Sequence, residues 1–172
     1  MKNKIKYKRI ATIDIGSNAI RMLISNVYEI NGKKVSTKNN IVRIPLRLGQ
    51  DSFSKSTLSD SSTNKLIKSF KAFKLLMDIN EVDSFLAYAT SAIRNINDSE
   101  VLLKRIFDET GIKLEVISGE KEAQITSQQD ISDHIGKTKN YCFVDVGGGS
   151  TEVIIFKNFK ILKLKSFKIG CV

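Results

Sequence analysis

Twice in this chain an apolar run ends in an aspartate and gives way to a turn of small residues. The first is Ile10-Ala11-Thr12-Ile13, followed by Asp14-Ile15-Gly16-Ser17-Asn18. The second is Tyr141-Cys142-Phe143-Val144, followed by Asp145-Val146-Gly147-Gly148-Gly149-Ser150-Thr151-Glu152. Each reads as a strand that stops at a turn with bare backbone N–H groups, an arrangement able to wrap a phosphate. The aspartate at each strand end is placed to meet a metal ion or a water beside that phosphate. One copy would say little. Two copies, each opening a strand-turn-strand unit, predict two halves that face each other across a phosphate-filled cleft.

The 172 residues suffice for one domain or two small ones, and an apolar content of 41% supplies a core. The net charge of +10 favours an anionic partner, with a generally lysine-rich composition as the plainer alternative. Lysines are scattered and enriched only in Met1–Arg9 and Lys157–Lys168, the latter being most simply the wet face of a hairpin. No nucleic-acid-binding arm stands out, so no nucleic acid partner is expected. No stretch approaches a membrane-spanning length, and the N-terminus lacks the apolar core of a secretion signal. No membrane partner is expected, and the expected location is cytoplasmic. Cys142 and Cys171 lack metal-type spacing and fall in or beside strand patterns, which predicts buried, reduced thiols.

A buried strand is expected over Arg9–Ile15 and further strands over Met22–Tyr28 and Lys34–Leu46, with Asn31-Gly32 as a hairpin turn. Pro45 marks an edge or a bend, and Leu48–Ser56 reads as a loop. Leu66, Phe70, Phe73 and Met77 recur at helical spacing after several possible caps in Ser59–Ser62, predicting a helix over Asp60–Ile79. A short strand Ser84–Ala89, a helix from Asp98 or Ser99 to Thr110 stopped by Gly111, and a strand Lys113–Ile117 follow. Glu120–Ser132 has helical character and Gly136–Asn140 reads as a loop. A last hairpin is expected to turn at Lys157-Asn158. The order is that of an α/β chain with a mixed sheet.

Four motifs appear in sequence order: Asp14-Ile-Gly-Ser-Asn-Ala-Ile-Arg21, Ala89-Thr-Ser-Ala-Ile-Arg94, Ser118-Gly-Glu-Lys-Glu-Ala123 and Asp145-Val-Gly-Gly-Gly-Ser-Thr-Glu152. Together they resemble the exopolyphosphatase / guanosine pentaphosphate phosphohydrolase family. The resemblance implies an actin-like ATPase fold of two ribonuclease-H-like lobes with a mixed sheet, the second lobe truncated. It implies a first lobe over 1–118, a connecting helix within 119–138 and the start of a second lobe over 139–172. Gly16, Ser17, Asn18 and Arg21 would bind phosphate from the first loop. Gly147, Gly148, Gly149, Ser150 and Thr151 would do so from the second. Arg94 would reach the cleft as a further phosphate ligand, its fork suited to phosphate oxygens. Glu122 would be the general base that deprotonates a water attacking the terminal phosphorus.

Two residues depart from the family pattern. Lys121 stands where the first Glu of a pair is usual, removing an acidic neighbour and so lowering the expected pKa of Glu122. Gln124 stands where Arg is frequent. The chain is also shorter than family members, so it is expected to be a fragment or a truncated form. It carries no Walker loop, dinucleotide-binding glycine fingerprint, zinc-type Cys/His cluster or serine nucleophile elbow. Hydrolysis would therefore proceed by direct water attack aided by Mg²⁺, with Asp145 and Glu152 as metal ligands and Asp14 nearby. The expected substrate is inorganic polyphosphate or guanosine pentaphosphate, and a homodimer is a compatible assembly. The alternatives are a non-catalytic polyphosphate- or alarmone-binding fragment and an ATP-dependent kinase of the same superfamily.

Overall fold

Alternation of apolar and polar residues in the first strand decides which face of the sheet is covered. The computed structural model describes residues 6–128 and 140–172. In β1 (Tyr7–Ile15), Ala11, Ile13 and Ile15 are buried while Thr12 between them is exposed. They pair with Ile24, Met22 and Ile20 of β2 (Ala19–Ile30), which are also fully buried. On the other side, Ile13 and Ile15 sit opposite Ala87 and Ala89 of β4 (Ser84–Ala89). With β3 (Lys33–Pro45) and β5 (Glu115–Val116) these strands make one sheet in the order β3-β2-β1-β4-β5. β1, β2 and β3 run antiparallel, and β4 and β5 run parallel to β1, so the sheet is mixed as expected. Pro45 closes an edge strand, where its missing N–H costs no ladder bond. Asn31 and Gly32 both take positive φ (51° and 73°), which suits the tight two-residue turn between β2 and β3.

Helix α2 (Asp60–Ile79) covers the buried face. Ser59 caps it by accepting the Ser62 N–H, and Leu66, Phe70, Phe73 and Met77 point inward as their spacing predicts. α4 (Ser99–Thr110) packs beside it through Leu102 and Ile106, and stops where Gly111 takes φ 69°. Four expectations shift here. Leu48–Lys55 is a helix, α1, and not a loop. The strand expected over Lys113–Ile117 shrinks to the two residues of β5. β2 begins at Ala19, so the first small-residue turn is shorter than expected. β1 is buried on one face only.

The second sheet is small and antiparallel: β6 (Asn140–Val146), β7 (Thr151–Lys157) and β8 (Lys160–Phe167), in that order. Its turn lies at Asn158-Phe159, one residue beyond the predicted one. α5 (Gly119–Thr126) starts at Ser118, whose side chain accepts the Lys121 N–H. Ala123 of α5 is buried against Ile154 and Phe156 of β7, so this helix belongs to the small sheet's core. The helix ends at Thr126, with Ser127 and Gln128 in a turn where helix was expected. Residues 129–132 of that expected helix, and most of the loop expected over Gly136–Asn140, lie outside the described residues. The opposite sheet face leaves Val144, Val146 and Ile155 exposed. Cys142 shares that face and Cys171 follows β8; both thiols are exposed, which corrects the expectation of buried cysteines. No helix among the described residues is long and apolar enough to cross a membrane.

Candidate active site

The two small-residue turns close in the same way. Gly16 N–H donates to the Ala19 carbonyl at 3.1 Å, and Gly147 N–H donates to the Ser150 carbonyl at 2.8 Å. The same three-residue step thus follows each strand-end aspartate. Backbone N–H groups of Ser17, Asn18, Gly148 and Gly149 make no hydrogen bond among the described residues. Such groups are available to an anion. α1 sets the first turn from behind: Leu46 and Arg47 N–H donate to the Asn18 carbonyl, and Gly49 N–H donates to the Ser17 carbonyl.

The turns meet each other directly. A methyl group on Gly148 would come within 2.6 Å of the Ser17 Cβ, and one on Gly149 within 2.1 Å of the Phe53 ring. Neither glycine has a positive φ; close approach, not backbone conformation, demands them. Ser17 is buried, with its Oγ 3.3 Å from the Ser91 Oγ at the start of α3 (Ser91–Arg94). Beside the contact lies a cleft of about 590 Å³ that includes Arg94, Gly148 and Gly149 in its lining.

Glu122 lies on the first turn of α5. Its Oε2 is buried without a hydrogen-bond partner. Arg94 Nη1 stands 3.7 Å from that oxygen, but donates instead to the Ile117 carbonyl at 2.6 Å. Burial, then the charge of Glu152, push the Glu122 carboxyl up to about 7; Arg94 pulls it down, and Asp14 and Asp145 push it further up. The lower pKa expected from Lys121 is therefore outweighed by desolvation and by three other carboxylates. A partly buried carboxyl poised near neutrality has the property required of a general base.

The remaining expected ligands divide. Arg21 forms an ion pair with Asp14 at 2.9 Å, and burial still holds the Asp14 carboxyl above its ordinary value. Glu152 is 3% exposed and accepts a hydrogen bond from Ser166 Oγ at 2.7 Å. Thr151 Oγ1 donates to the Ile169 carbonyl at 2.6 Å, so its proton is committed to the chain and not free for a phosphate. Ser150 is buried. The described residues hold no group of three or more His, Cys, Asp or Glu side chains arranged around an ion, so Asp14, Asp145 and Glu152 do not close a cage.

The whole pattern has counterparts. Residues 27–172 match the model of the Ppx/GppA phosphatase family. This chain belongs to the Ppx/GppA phosphatase family. It is 34% identical to a bifunctional 3-dehydroquinate synthase/phosphatase of Fusobacterium nucleatum, over 97% of this chain and 26% of that one. It is also 34% identical to a guanosine-5'-triphosphate,3'-diphosphate pyrophosphatase of Photobacterium profundum, over 94% of this chain and 32% of that one. The solved exopolyphosphatase of Cytophaga hutchinsonii superposes with a TM-score of 0.82 at 29% identity, over 95% of this chain and 51% of the other. The chain thus spans about half of that structure and about a third or less of those two relatives.

As a Ppx/GppA member the chain has the actin-like ATPase fold, with a mixed first sheet and a small antiparallel second one. Sequence reasoning missed Ser91, Phe53 and Ser166, which set this family member's turns and its buried Glu152. Ser91 lies within the Ala89–Arg94 motif, and its place two residues after a strand was the available signal.

Proposed function

We propose that the protein is a phosphohydrolase that releases terminal phosphate from inorganic polyphosphate or guanosine pentaphosphate. The observation that carries this reading is Glu122: a half-buried carboxyl raised to about 7, its Oε2 buried without a hydrogen-bond partner, 3.7 Å from Arg94 and within reach of the charges of Asp14 and Asp145, which precede the two turns with free N–H groups. Ser17, Asn18, Gly148 and Gly149 would bind phosphate oxygens through their backbone N–H groups. Arg94 would hold the phosphoryl group under attack, while its bond to the Ile117 carbonyl keeps the guanidinium from neutralising Glu122. Glu122, once ionised, would take a proton from the attacking water. A kinase would need a nucleotide acceptor arrangement instead of a water-activating base, and Glu122 favours hydrolysis.

Mg²⁺ fits this donor set as an ion shared with substrate. The carboxylates do not form an all-protein cage, and magnesium is commonly held by one or two carboxylates together with phosphate oxygens. Asp14 and Asp145 would hold it, with Glu152 behind them. When bound it would supply charge neutralisation at the phosphoanhydride.

The test is release of inorganic phosphate from both substrates by the protein and by Glu122→Gln. Turnover should fall about 10²–10⁴-fold, the usual span for losing a general base, while polyphosphate binding survives. Unchanged turnover would remove Glu122 from the mechanism.

A further inference from the structure

The three strands of the small sheet set one row of side chains beneath the start of α5. Asp145 of β6 pairs with Glu152 of β7, and Glu152 pairs in turn with Ser166 of β8. Residues paired in this way share a face of the sheet. Here it is the face under α5, where Ile154 and Phe156 of β7 also lie. The corresponding row of the first sheet is Asp14, Arg21 and Arg43. There the aspartate is answered directly, by Arg21 at 2.9 Å. The second row carries two carboxylates and a hydroxyl, and no cation of its own. Glu152 is 3% exposed, and Ser166 Oγ donates to its Oε1 at 2.7 Å. Ser166 is held from the other side by Gly119, the first residue of α5. A methyl group on this buried glycine would collide with Ser166 Oγ and come within 3.6 Å of Glu152 Oε1. Gly119 has no positive φ, so close approach is what excludes a side chain there. Glu122 follows within the first turn of the same helix.

We propose that Ser166 is a positioning residue: it fixes the Glu152 carboxylate beside Asp145, so that the two charges act together on a divalent cation. Gly119 is small so that α5 can hold the hydroxyl in place. The proposal rests on the hydrolase reading, in which Mg²⁺ is shared between carboxylates and phosphate oxygens. Ser166 touches neither cation nor substrate in this role and acts through Glu152. Partners that orient the groups of a metal site contribute about 10–100-fold in affinity. A serine suits the task because it supplies one hydrogen bond without a positive charge. Glu152 is oriented and still keeps its charge for the cation. An arginine at that place, as Arg43 is in the first row, would bring a permanent positive charge to the carboxylates and compete with the ion. The two rows thus divide the work. The first carries its own counter-ion, and the second keeps its negative charge uncompensated and aligned.

Calorimetric titration of the chain with Mg²⁺ alone tests this. Ser166→Ala should weaken Mg²⁺ binding about tenfold, the lower end of that range. Gly119→Ala keeps the hydroxyl but displaces it, and should weaken Mg²⁺ binding as well. Gly32→Ala, strained in the β2–β3 turn at φ 73°, lowers stability elsewhere and should leave Mg²⁺ affinity unchanged. Thermal melts across Mg²⁺ concentration separate positioning from packing. An ion that binds only the folded chain raises the melting temperature. For Ser166→Ala the whole rise should be displaced to about tenfold higher Mg²⁺. A role in packing alone would lower the melting temperature by the same amount at every Mg²⁺ concentration, and that result overturns the proposal. So does an unchanged isotherm for Ser166→Ala, an equal loss in Gly32→Ala, or an unaltered chain that binds no Mg²⁺. The hydrolase reading is judged by a different measurement, phosphate release by the unaltered chain, so the two failures are distinct.

Discussion

Ser17 and Gly148 touch, although 130 residues separate them: a methyl group on the glycine would lie 2.6 Å from the serine Cβ and 2.8 Å from its Oγ. The first and second turns therefore fix each other's position, and the glycine is required by the serine.

Gly148→Ala should accordingly force the turns apart. The added methyl also meets Val172 Cγ2 at 3.2 Å, so it has no free direction. Overpacking of this kind costs about 1–3 kcal/mol. Denaturant unfolding should show a loss of that size, with weaker oligophosphate binding because the free N–H groups of both turns move. Gly32→Ala is a useful contrast: its φ of 73° strains any side chain, yet nothing lies within 4 Å, so stability should fall without loss of binding.

Ser166 is the only residue seen to hydrogen-bond the Glu152 side chain among the described residues. The hydroxyl donates to a carboxylate that is 3% exposed. Removing the donor leaves that oxygen unpaired. Ser166→Ala should destabilise the chain by about 1–3 kcal/mol, the cost of leaving a buried acceptor unpaired. Denaturant unfolding of the two proteins decides it. Unchanged stability would mean that Ser166 matters only through its packing under Gly119, where a methyl would meet its Oγ at 2.1 Å.

How far the sequence carried this structure depends on the kind of signal. The twin aspartate turns, the helix of Leu66, Phe70, Phe73 and Met77, and the Asn31-Gly32 hairpin follow from local chemistry, and all are present. α1 was invisible because its face is made of Leu48, Gly49 and Ser52, too small and too polar to register as an apolar stripe. It is held instead by Asp51, which accepts from Ser59 and Ser62 at the start of α2. Cys142 was misjudged because strand alternation does not say which face is covered, and in β6 its face is open. Glu122 came from motif resemblance. The local pattern places it only near the start of the helical stretch from Glu120, and only the fold buries it and brings Glu152, Asp14 and Asp145 close enough to raise its pKa.

The net charge of +10 predicts a salt effect. If a polyanion occupies the cleft, counterions leave when it binds, and affinity should fall steeply as salt rises. Lys168 lines the cleft and is exposed, so Lys168→Ala should flatten the slope of log affinity against log salt. Titrations at low and high salt measure this. A flat response would assign the positive charge to general composition and not to a phosphate track.

The final expectation concerns Glu122 and pH. Its ordinary value is 4.5 and its value in the fold is about 7, raised first by burial and then by Glu152. Between these values the folded chain binds more protons than the unfolded one. Stability is therefore fully present in acid, falls as pH rises through this window, and levels off above the folded value. Glu122→Gln abolishes that loss. At about pH 8 the variant should be more stable, on the order of 1–3 kcal/mol, while at about pH 4 the two should match because the carboxyl is then neutral. Saturating Mg²⁺ should narrow the window, since a cation among Asp14, Asp145 and Glu152 offsets the charges that push the proton onto Glu122. Thermal unfolding of both proteins across pH, with and without Mg²⁺, provides the measurement. A variant that tracks the parent at every pH would show that the carboxyl is not strained in the fold. A midpoint unmoved by Mg²⁺ would place the ion away from these carboxylates, and leave the charge of the phosphates to Arg94 and the backbone N–H groups alone.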